Sequence, residues 1–572
     1  MIAAPTATVA AAKPERAPVA PVNPVIHMLP GLTDIAFLLP FIFVLRSKYG
    51  LSFLLGDSDT GWHLRSGEWI LAHGRVPTTD PFSYTKAGQP WFAWEWLWDL
   101  CFGWIHAHAG LGGVVLVSLV VISAALVFVL RTALRRCDNA LLVFGLVWLG
   151  AYLSTIHWHA RPHLVTFLFV AAFCAILYRV HDGKVALLWW LPPLTIVWTN
   201  LHGAFFVGLI FLGAFAAGEL CGWVVEGDAA GARAHLRKAI PYVLTAGGCL
   251  IGSLVNPYGY HLHTHIFRYL VQENHAQTIS EFQSLSFHHA TGLSFGILLA
   301  LSAAAAMWHL MRREFAFSIL IVGWGWMALY SGRNIPIFII AAIPLVAQAL
   351  QEMLRVVQAA EVSERVKRAV RSFLELGSEV AVMERHWRVH LASAIPLALI
   401  GAVSLSANPP AALRAQFISD RFPAAAVDRF LSHCSSVRIF AHDQWGGYLI
   451  YRLYPRLRVF VDGRSDFYGP AFGENWLRIA NDKYDWQQQL DKFGVDTVVL
   501  PGDSPLASTM KEAPRWRVVY DDGTAIVFQP ANEVLCTVAV PAPRSGDTRG
   551  GAAALQPIPS QRVPSQRATV SK

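Results

Sequence analysis

The feature that most constrains this chain is a series of apolar runs, each about long enough to cross a lipid bilayer as a helix. A span needs about 20 consecutive apolar residues, because every backbone polar group must be satisfied within the segment. On that ruler the sequence holds about eleven spans, at roughly 31–49, 111–131, 139–156, 162–180, 184–200, 203–224, 239–255, 291–310, 315–331, 334–351 and 389–406. Only 15% of the 572 residues are charged, against about 25% in soluble domains. The chain therefore lacks the polar surface that a soluble protein of this length presents. Its 21 Trp suit a molecule with many membrane–water interfaces. The first run is followed by Leu51-Ser52-Phe53-Leu54-Leu55, not by a small-residue cleavage site, so it reads as a retained span.

Lys and Arg orient the spans. With the N-terminus in the cytoplasm, the loops carrying Arg131, Arg135 and Arg136, then Arg179 and Lys184, then Arg233, Arg237 and Lys238, then Arg312 and Arg313 all fall inside. So does 352–388, where Val362, Val366, Val370 and Phe373 recur at helical spacing among basic residues, the pattern of an amphipathic surface helix. This distribution accounts for the net charge of +8 without nucleic acid. No RNA-binding or zinc-finger pattern accompanies it.

The alternate loops have another chemistry. They contain Asp57-Ser58-Asp59-Thr60-Gly61-Trp62-His63-Leu64, His157-Trp158-His159-Ala160-Arg161-Pro162-His163, Trp198-Thr199-Asn200-Leu201-His202-Gly203 and Asn256-Pro257-Tyr258-Gly259-Tyr260-His261. Glu281-Phe282-Gln283-Ser284 and Ser331-Gly332-Arg333-Asn334 complete the set. Polar residues at span ends line cavities or pathways more often than they face lipid. Their collection on one face is the main functional signal in the sequence.

The domain plan is a tail at 1–28 without periodicity, a transmembrane domain at 29–408 with its first outer loop at 50–110, a small domain at 409–530 and a second tail at 531–572. Both tails have disorder-prone compositions. In 409–530, strands are expected at Val437–Phe440, Arg458–Arg464 and Val495–Leu500. A helix-like stretch opens at Gly446-Gly447, and a Trp- and Gln-rich helix precedes Val495. Arg517–Tyr520 and Ala525–Phe528 flank Asp521-Asp522-Gly523, a hairpin signal. This alternation indicates a small α/β domain, and an odd number of spans places it outside. The seven Cys form no CxxC pair; Cys434 and Cys536 fall in this last domain and its tail, and a disulfide between them is open if the domain lies outside.

Taken as residues alone, the motifs leave alternatives. Asp57 and Asp59 can share a substrate hydroxyl, bind a divalent cation with phosphate oxygens, or cap the helix that starts near Trp62. Three histidines within 157–163 do not share a helix face, and Pro162 interrupts them, so no metal residue is assigned there. Asn256-Pro257-Tyr258-Gly259 also reads as a helix-ending turn, and Arg333 as a snorkelling residue. Asp462-Gly463-Arg464 with Asp466 suits acceptor binding or a structural Asp–Arg pair.

The run Asp57–Leu64, followed by Gly74-Arg75-Val76-Pro77-Thr78-Thr79-Asp80-Pro81-Phe82-Ser83-Tyr84, resembles the first outer loop of bacterial multi-span proteins similar to the GT-C glycosyltransferase superfamily. The neighbourhood is that of protein mannosyltransferase-like and Rgt-type sugar transferases. Arg161-Pro162-His163, Asn200-Leu201-His202-Gly203, Asn256-Pro257-Tyr258-Gly259, Arg333-Asn334-Ile335-Pro336, Gly446-Gly447-Tyr448-Leu449 and Val461-Asp462-Gly463-Arg464 resemble its later landmarks, so the likeness covers most of 30–530. It implies an all-α polytopic bundle with a small extracytoplasmic α/β domain, in the inner (cytoplasmic) membrane. It also implies transfer of a sugar from a polyprenyl-phosphate donor to a glycan, lipid or protein acceptor outside the cytoplasm. Asp57 or Asp59 is then the catalytic base, with a divalent cation at that pair the one cofactor in view. Trp62, His63, Arg65, Glu95, His159, Arg161, His163, Asn200, His202, Tyr258, Arg333 and Asn334 are the expected substrate-binding residues. Arg161 and Arg333 are placed at the phosphate, and Trp62, Trp94 and Trp198 against a sugar face. The other function classes are a transporter or flippase-like protein for a lipid-linked glycan, which needs polar groups on both membrane faces, and a scaffold, which tolerates loss of Asp57 and Asp59.

Overall fold

All eleven apolar runs fall on helices. The computed structural model describes residues 27–536 other than 228, 272–279, 387 and 534; the expected tails lie almost wholly outside the described residues. In chain order the membrane part is α1 (Leu32–Arg46), α2 (Asp59–His73), α3 (Trp96–Arg136), α4 (Ala140–Ser154), α5 (His163–His181), α6 (Leu191–Leu201), α7 (Phe206–Glu226) and α8 (Ala229–Gly252). It continues with α9 (His261–Val271), α10 (Ala290–Met311), α11 (Phe315–Tyr330), α12 (Ile335–Ala359), α13 (Glu364–Glu384) and α14 (Leu391–Ser404). Among the described residues, six helices are long and apolar enough to cross a membrane: α3, α5, α7, α10, and the stretches Ala140–His157 and Gly332–Ala359. Val185–Leu201, Phe315–Tyr330 and Leu391–Ser404 are shorter apolar helices. The molecule is a multi-pass membrane protein.

The long α3 is two helices. Gly110 leaves helical geometry at φ 58°, ψ −162°, a conformation that a side chain would oppose. The first part packs on α2 outside the expected span, and the second is the span. Gly67 and Gly103 let α2 and α3 touch through their backbones, since a Cβ on Gly67 would lie 1.9 Å from the Asp99 carbonyl oxygen. The basic loops pair away from the site: Arg136 with Asp182, Arg385 and Arg355 with Asp138, and Arg312 with Glu352.

After the membrane part come α15 (Ala424–Arg429), β1 (Ile439–Ala441), α16 (Asp443–Leu453), α17 (Ser465–Tyr468), α18 (Pro470–Ala480), α19 (Trp486–Lys492), β2 (Thr497–Pro501), α20 (Pro505–Glu512), β3 (Trp516–Asp521) and β4 (Ala525–Pro530). The sheet order is β1-β2-β4-β3, with β1 parallel to β2 and the other pairs antiparallel. The expected hairpin is β3–β4, turning at Gly523 with φ 82°. The expected strand at Arg458–Arg464 is corrected: Val459 makes only isolated bridges, to Ser83 of the first outer loop and to Ile439. Its backbone hydrogen bonds go to Phe82 and Tyr84, so this segment joins the α/β part to the loop and leaves the sheet. Cys434 and Cys536 form a disulfide. A continuous apolar cluster runs from the membrane helices into α16.

Candidate active site

Three separate loops meet at one charged cluster, and a fourth, at 331–334, is tied to them through its backbone. Asp57 lies just before Ser58, the N-cap of α2, and its Oδ1 accepts from the Asp59 amide at 2.8 Å. Its Oδ2 accepts from Arg161 Nη1 at 2.6 Å. The same Nη1 donates to Glu281 Oε1 at 2.8 Å, and Nη2 lies 3.1 Å from Asp59 Oδ2. The loops are fixed to each other by backbone contacts. Ala160 donates to the Leu54 carbonyl, Thr60 Oγ1 donates to the Ala160 carbonyl, and Gly332 donates to the Gln283 carbonyl. Thus neither Asp57 nor Asp59 is the N-cap; one oxygen of Asp57 holds the backbone at the start of α2 and the other holds Arg161.

Burial and the neighbouring guanidinium groups pull the acids of this cluster in opposite directions. It pushes the Asp59 carboxyl up to about 7, with Arg161 opposing and the carboxylates of Asp57, Glu281 and Asp462 adding to the rise. Glu281 is held at about 2, because Arg161 and Arg333 outweigh the burial that would raise it.

Asp59 is also the acid of the pair that lines the main cavity, a space of about 830 Å³. At one end the cavity is walled by Asp59, Trp62, His63, Arg161, His163, His202, Arg333 and Asn334. Trp91, Trp94, Glu95, Gly463, Arg464 and Asp466 form a second polar wall. From there the space continues between α7 and α11, lined by Ile210, Ala214, Leu320, Trp324 and Met327. Burial raises the Glu95 carboxyl to about 8, with Asp99 and Asp466 adding to the rise. Burial, then Arg333 and Arg161, lowers His202 to about 3. Its Nδ1 meets Thr166 Oγ1 at 2.8 Å, so the imidazole is neutral.

The α/β domain roofs this space through glycines. A Cβ on Gly463 would lie 1.9 Å from Asp59 Oδ1, one on Gly61 would lie 2.3 Å from the Gly447 carbonyl oxygen, and one on Gly447 would lie 2.3 Å from the Ser58 carbonyl oxygen. These contacts give a physical reason for Gly61 in the first loop, for Gly446-Gly447 in α16 and for Gly463. Arg464 makes the expected Asp–Arg pair: its fork holds Asp462 at 2.7 Å through both Nε and Nη2, and Nη2 also reaches Asp80 at 2.9 Å, while the residue also lines the cavity. The cation lies 4.6 Å from the Trp91 ring centroid.

Of the expected substrate-binding residues, Trp62, His63, Glu95, Arg161, His163, His202, Arg333 and Asn334 line the cavity. His159 belongs to the charged cluster, with Asp57 and Glu281. Three others lie elsewhere. Arg65 grips the Tyr451 carbonyl of α16 and pairs with Glu68. Asn200 accepts from Trp96 Nε1 and donates to the carbonyls of Ile196 and Val255. Tyr258 donates to the Ala93 carbonyl. Trp198 is fully buried beneath Phe169 and donates to Thr166, so it offers no sugar-stacking face. Glu281 joins the charged cluster although sequence reasoning left it out of the site while singling out its loop. Asp99, fully buried and 2.6 Å from the Nδ1 of the cavity-lining His63, was not singled out either.

No family model matches the chain, and no curated protein matches it. Solved structures do. The oligosaccharyltransferase of Archaeoglobus fulgidus, tethered with an acceptor peptide, is similar over 87% of this chain and 74% of its own, with TM-score 0.51 and 12% identity. The chain shares the overall fold of that structure. ArnT from Cupriavidus metallidurans in the apo state aligns over 87% of this chain and 96% of its own, with TM-score 0.47 and 16% identity. The same enzyme bound to undecaprenyl phosphate gives TM-score 0.46 and 15% identity. In this chain residues of the loop 50–110 and of the α/β domain both line the charged end of the cavity.

Proposed function

We propose that the chain is a membrane glycosyltransferase that moves a sugar from a polyprenyl-phosphate donor to an acceptor outside the cytoplasm. The observation that carries this reading is one cavity lined by charged and polar residues at one part and by apolar residues of α7 and α11 at another. A lipid-phosphate sugar has the same polarity along its length. Its chain fits the apolar groove between α7 and α11, and its phosphate falls at Arg333, Asn334 and His202. The sugar then sits under Gly463 and against Trp62, Trp91 and Trp94. A titration near 7 suits a general base at neutral pH, and Asp59 is the residue that has it. In the step, the acceptor O–H proton goes to Asp59 while the acceptor oxygen bonds to the sugar C1. The C1–O bond to phosphate breaks, and its electron pair leaves on the phosphate, with inversion at C1. Arg333 offsets the charge that develops there.

The cation expected at Asp57 and Asp59 meets a different arrangement. The ligand atoms that converge, within 4.8 Å of one another, belong to Asp57, His159 and Glu281. Their types suit a divalent ion, but Arg161 already bonds both carboxylates. With that guanidinium between them the two carboxylates are already engaged, and no step is routed through an ion. Arg161 is likewise committed to carboxylates, which leaves the phosphate to Arg333. The Cys434–Cys536 disulfide supports an extracytoplasmic α/β domain, since disulfides persist in oxidising compartments. The N-terminus is then cytoplasmic and the membrane the inner one.

The phosphate assignment is tested by binding. Arg333→Ala should weaken binding of undecaprenyl phosphate by about tenfold or more, the loss of one charge-assisted contact. Equal affinity in wild type and variant, measured in lipid nanodiscs, would remove Arg333 from the phosphate site.

A further inference from the structure

The cluster at the first outer loop has the make-up of a metal site and a guanidinium at its centre. Metal–oxygen bonds of about 2.0–2.6 Å would place a divalent ion between the facing oxygens of Asp57 and Glu281. Arg161 Nη1 stands in that place, 2.6 Å from Asp57 Oδ2 and 2.8 Å from Glu281 Oε1. Ion and nitrogen cannot both occupy it. The other terminal nitrogen is held by Asp59 at 3.1 Å. His159, the third donor of the set, has a buried Nδ1 without a hydrogen-bond partner among the described residues.

The arginine is also hard to dislodge. It sits on a short backbone turn, its amide donating to the His159 carbonyl and its carbonyl accepting from Leu164 at the start of α5. A guanidinium does not leave by deprotonation, whereas a bound ion exchanges with solvent.

We propose that Arg161 is the resident cation of this site, standing where a divalent ion would otherwise bridge Asp57 and Glu281, and that the site works without added metal. The first half stands on the geometry alone; the second rests on the transferase reading. In that reading Arg161 supplies a fixed positive charge beside Asp59, which holds the three acids together without drawing the phosphate away from Arg333.

The test uses the full chain in lipid nanodiscs, titrated with Mn²⁺ while free Mn²⁺ is followed by electron paramagnetic resonance. Wild type is expected to show no bound Mn²⁺ that Glu281→Gln removes. Arg161→Ala is expected to bind one Mn²⁺ per chain at least about tenfold tighter than wild type, and to lose it when Asp57→Asn is added. One Mn²⁺ on wild type that disappears in Glu281→Gln overturns the proposal, as does a folded Arg161→Ala that binds no better. If Arg161→Ala does not fold, the comparison of wild type with Glu281→Gln decides by itself. For the second half, release of polyprenyl phosphate from a lipid-phosphate sugar should be the same in EDTA as in Mn²⁺ or Mg²⁺. Release that requires added ion overturns it. Failure of release under every condition counts against the transferase reading and leaves the Mn²⁺ titration to judge Arg161.

Discussion

Asp59 and Glu95 take up protons more readily in the folded chain than in the unfolded one, because burial raises them to about 7 and about 8. The sign follows from proton linkage. Between the ordinary carboxylate range and these values the native state holds the extra proton, so stability from these two groups falls as pH rises through 7 to 8. Glu281 runs the other way: held at about 2 against an ordinary 4.5, it adds stability above pH 4.5 that is lost as pH falls toward 2. Replacing Glu95 by Gln removes a group that is costly to ionise. The melting temperature should rise by about 2–4 °C at pH 8 and stay near wild type at pH 5; an equal shift at both pH values would contradict the assignment. At this scale the sequence was legible where a residue's role depends on its own loop. Asp59, Arg161, His202 and Arg333 sit at span ends and do line the cavity. Arg65, Asn200 and Tyr258 bear the same kinds of polar group but serve distant backbone carbonyls, Arg65 that of Tyr451, and no local pattern announces such a partner. Trp198 shows the same limit, since its burial under Phe169 is a tertiary fact.

At the scale of elements, the contact between α2 and the α/β domain sets the site, and it is a contact of glycines. Gly447 and Gly463 should therefore fail differently when given a methyl group. At Gly447 the added carbon meets the Ser58 backbone, which cannot move without disturbing the start of α2. Gly447→Ala should cost about 1–3 kcal/mol of stability, read as earlier unfolding on heating. At Gly463 the carbon meets the Asp59 side chain, which can swing aside. Gly463→Ala should keep its melting temperature and lose turnover by about 10²-fold, as misplaced catalytic groups do. Equal behaviour of the two variants would contradict this account of the roof. The β3–β4 hairpin was readable from Asp521-Asp522-Gly523, because turn chemistry is local. Val459 was misread as a strand because its apolar neighbours look the same whether they pair within a sheet or, as here, with Ser83 of a loop far away in sequence.

For the whole molecule, the apolar runs and the one-sided gathering of polar loops were legible because bilayer thickness and backbone satisfaction impose them on any spanning chain. The cavity was not, since its volume arises from how α7, α9 and α11 are spaced. The orientation proposed here has its own check: alkaline phosphatase fused after Pro530 should be active in bacterial cells, and an inactive fusion with a fluorescent protein glowing at the same point would reverse the topology. The central claim, transfer from a lipid-phosphate sugar with Asp59 as base, is tested most directly by release of free polyprenyl phosphate from radiolabelled donors supplied with candidate acceptors. Wild type should release it, and Asp59→Asn should bind donor as tightly while releasing it about 10²–10⁴-fold more slowly, the range that general-base catalysis supplies. Donor bound without release by wild type, or release by Asp59→Asn at the wild-type rate, would contradict the account.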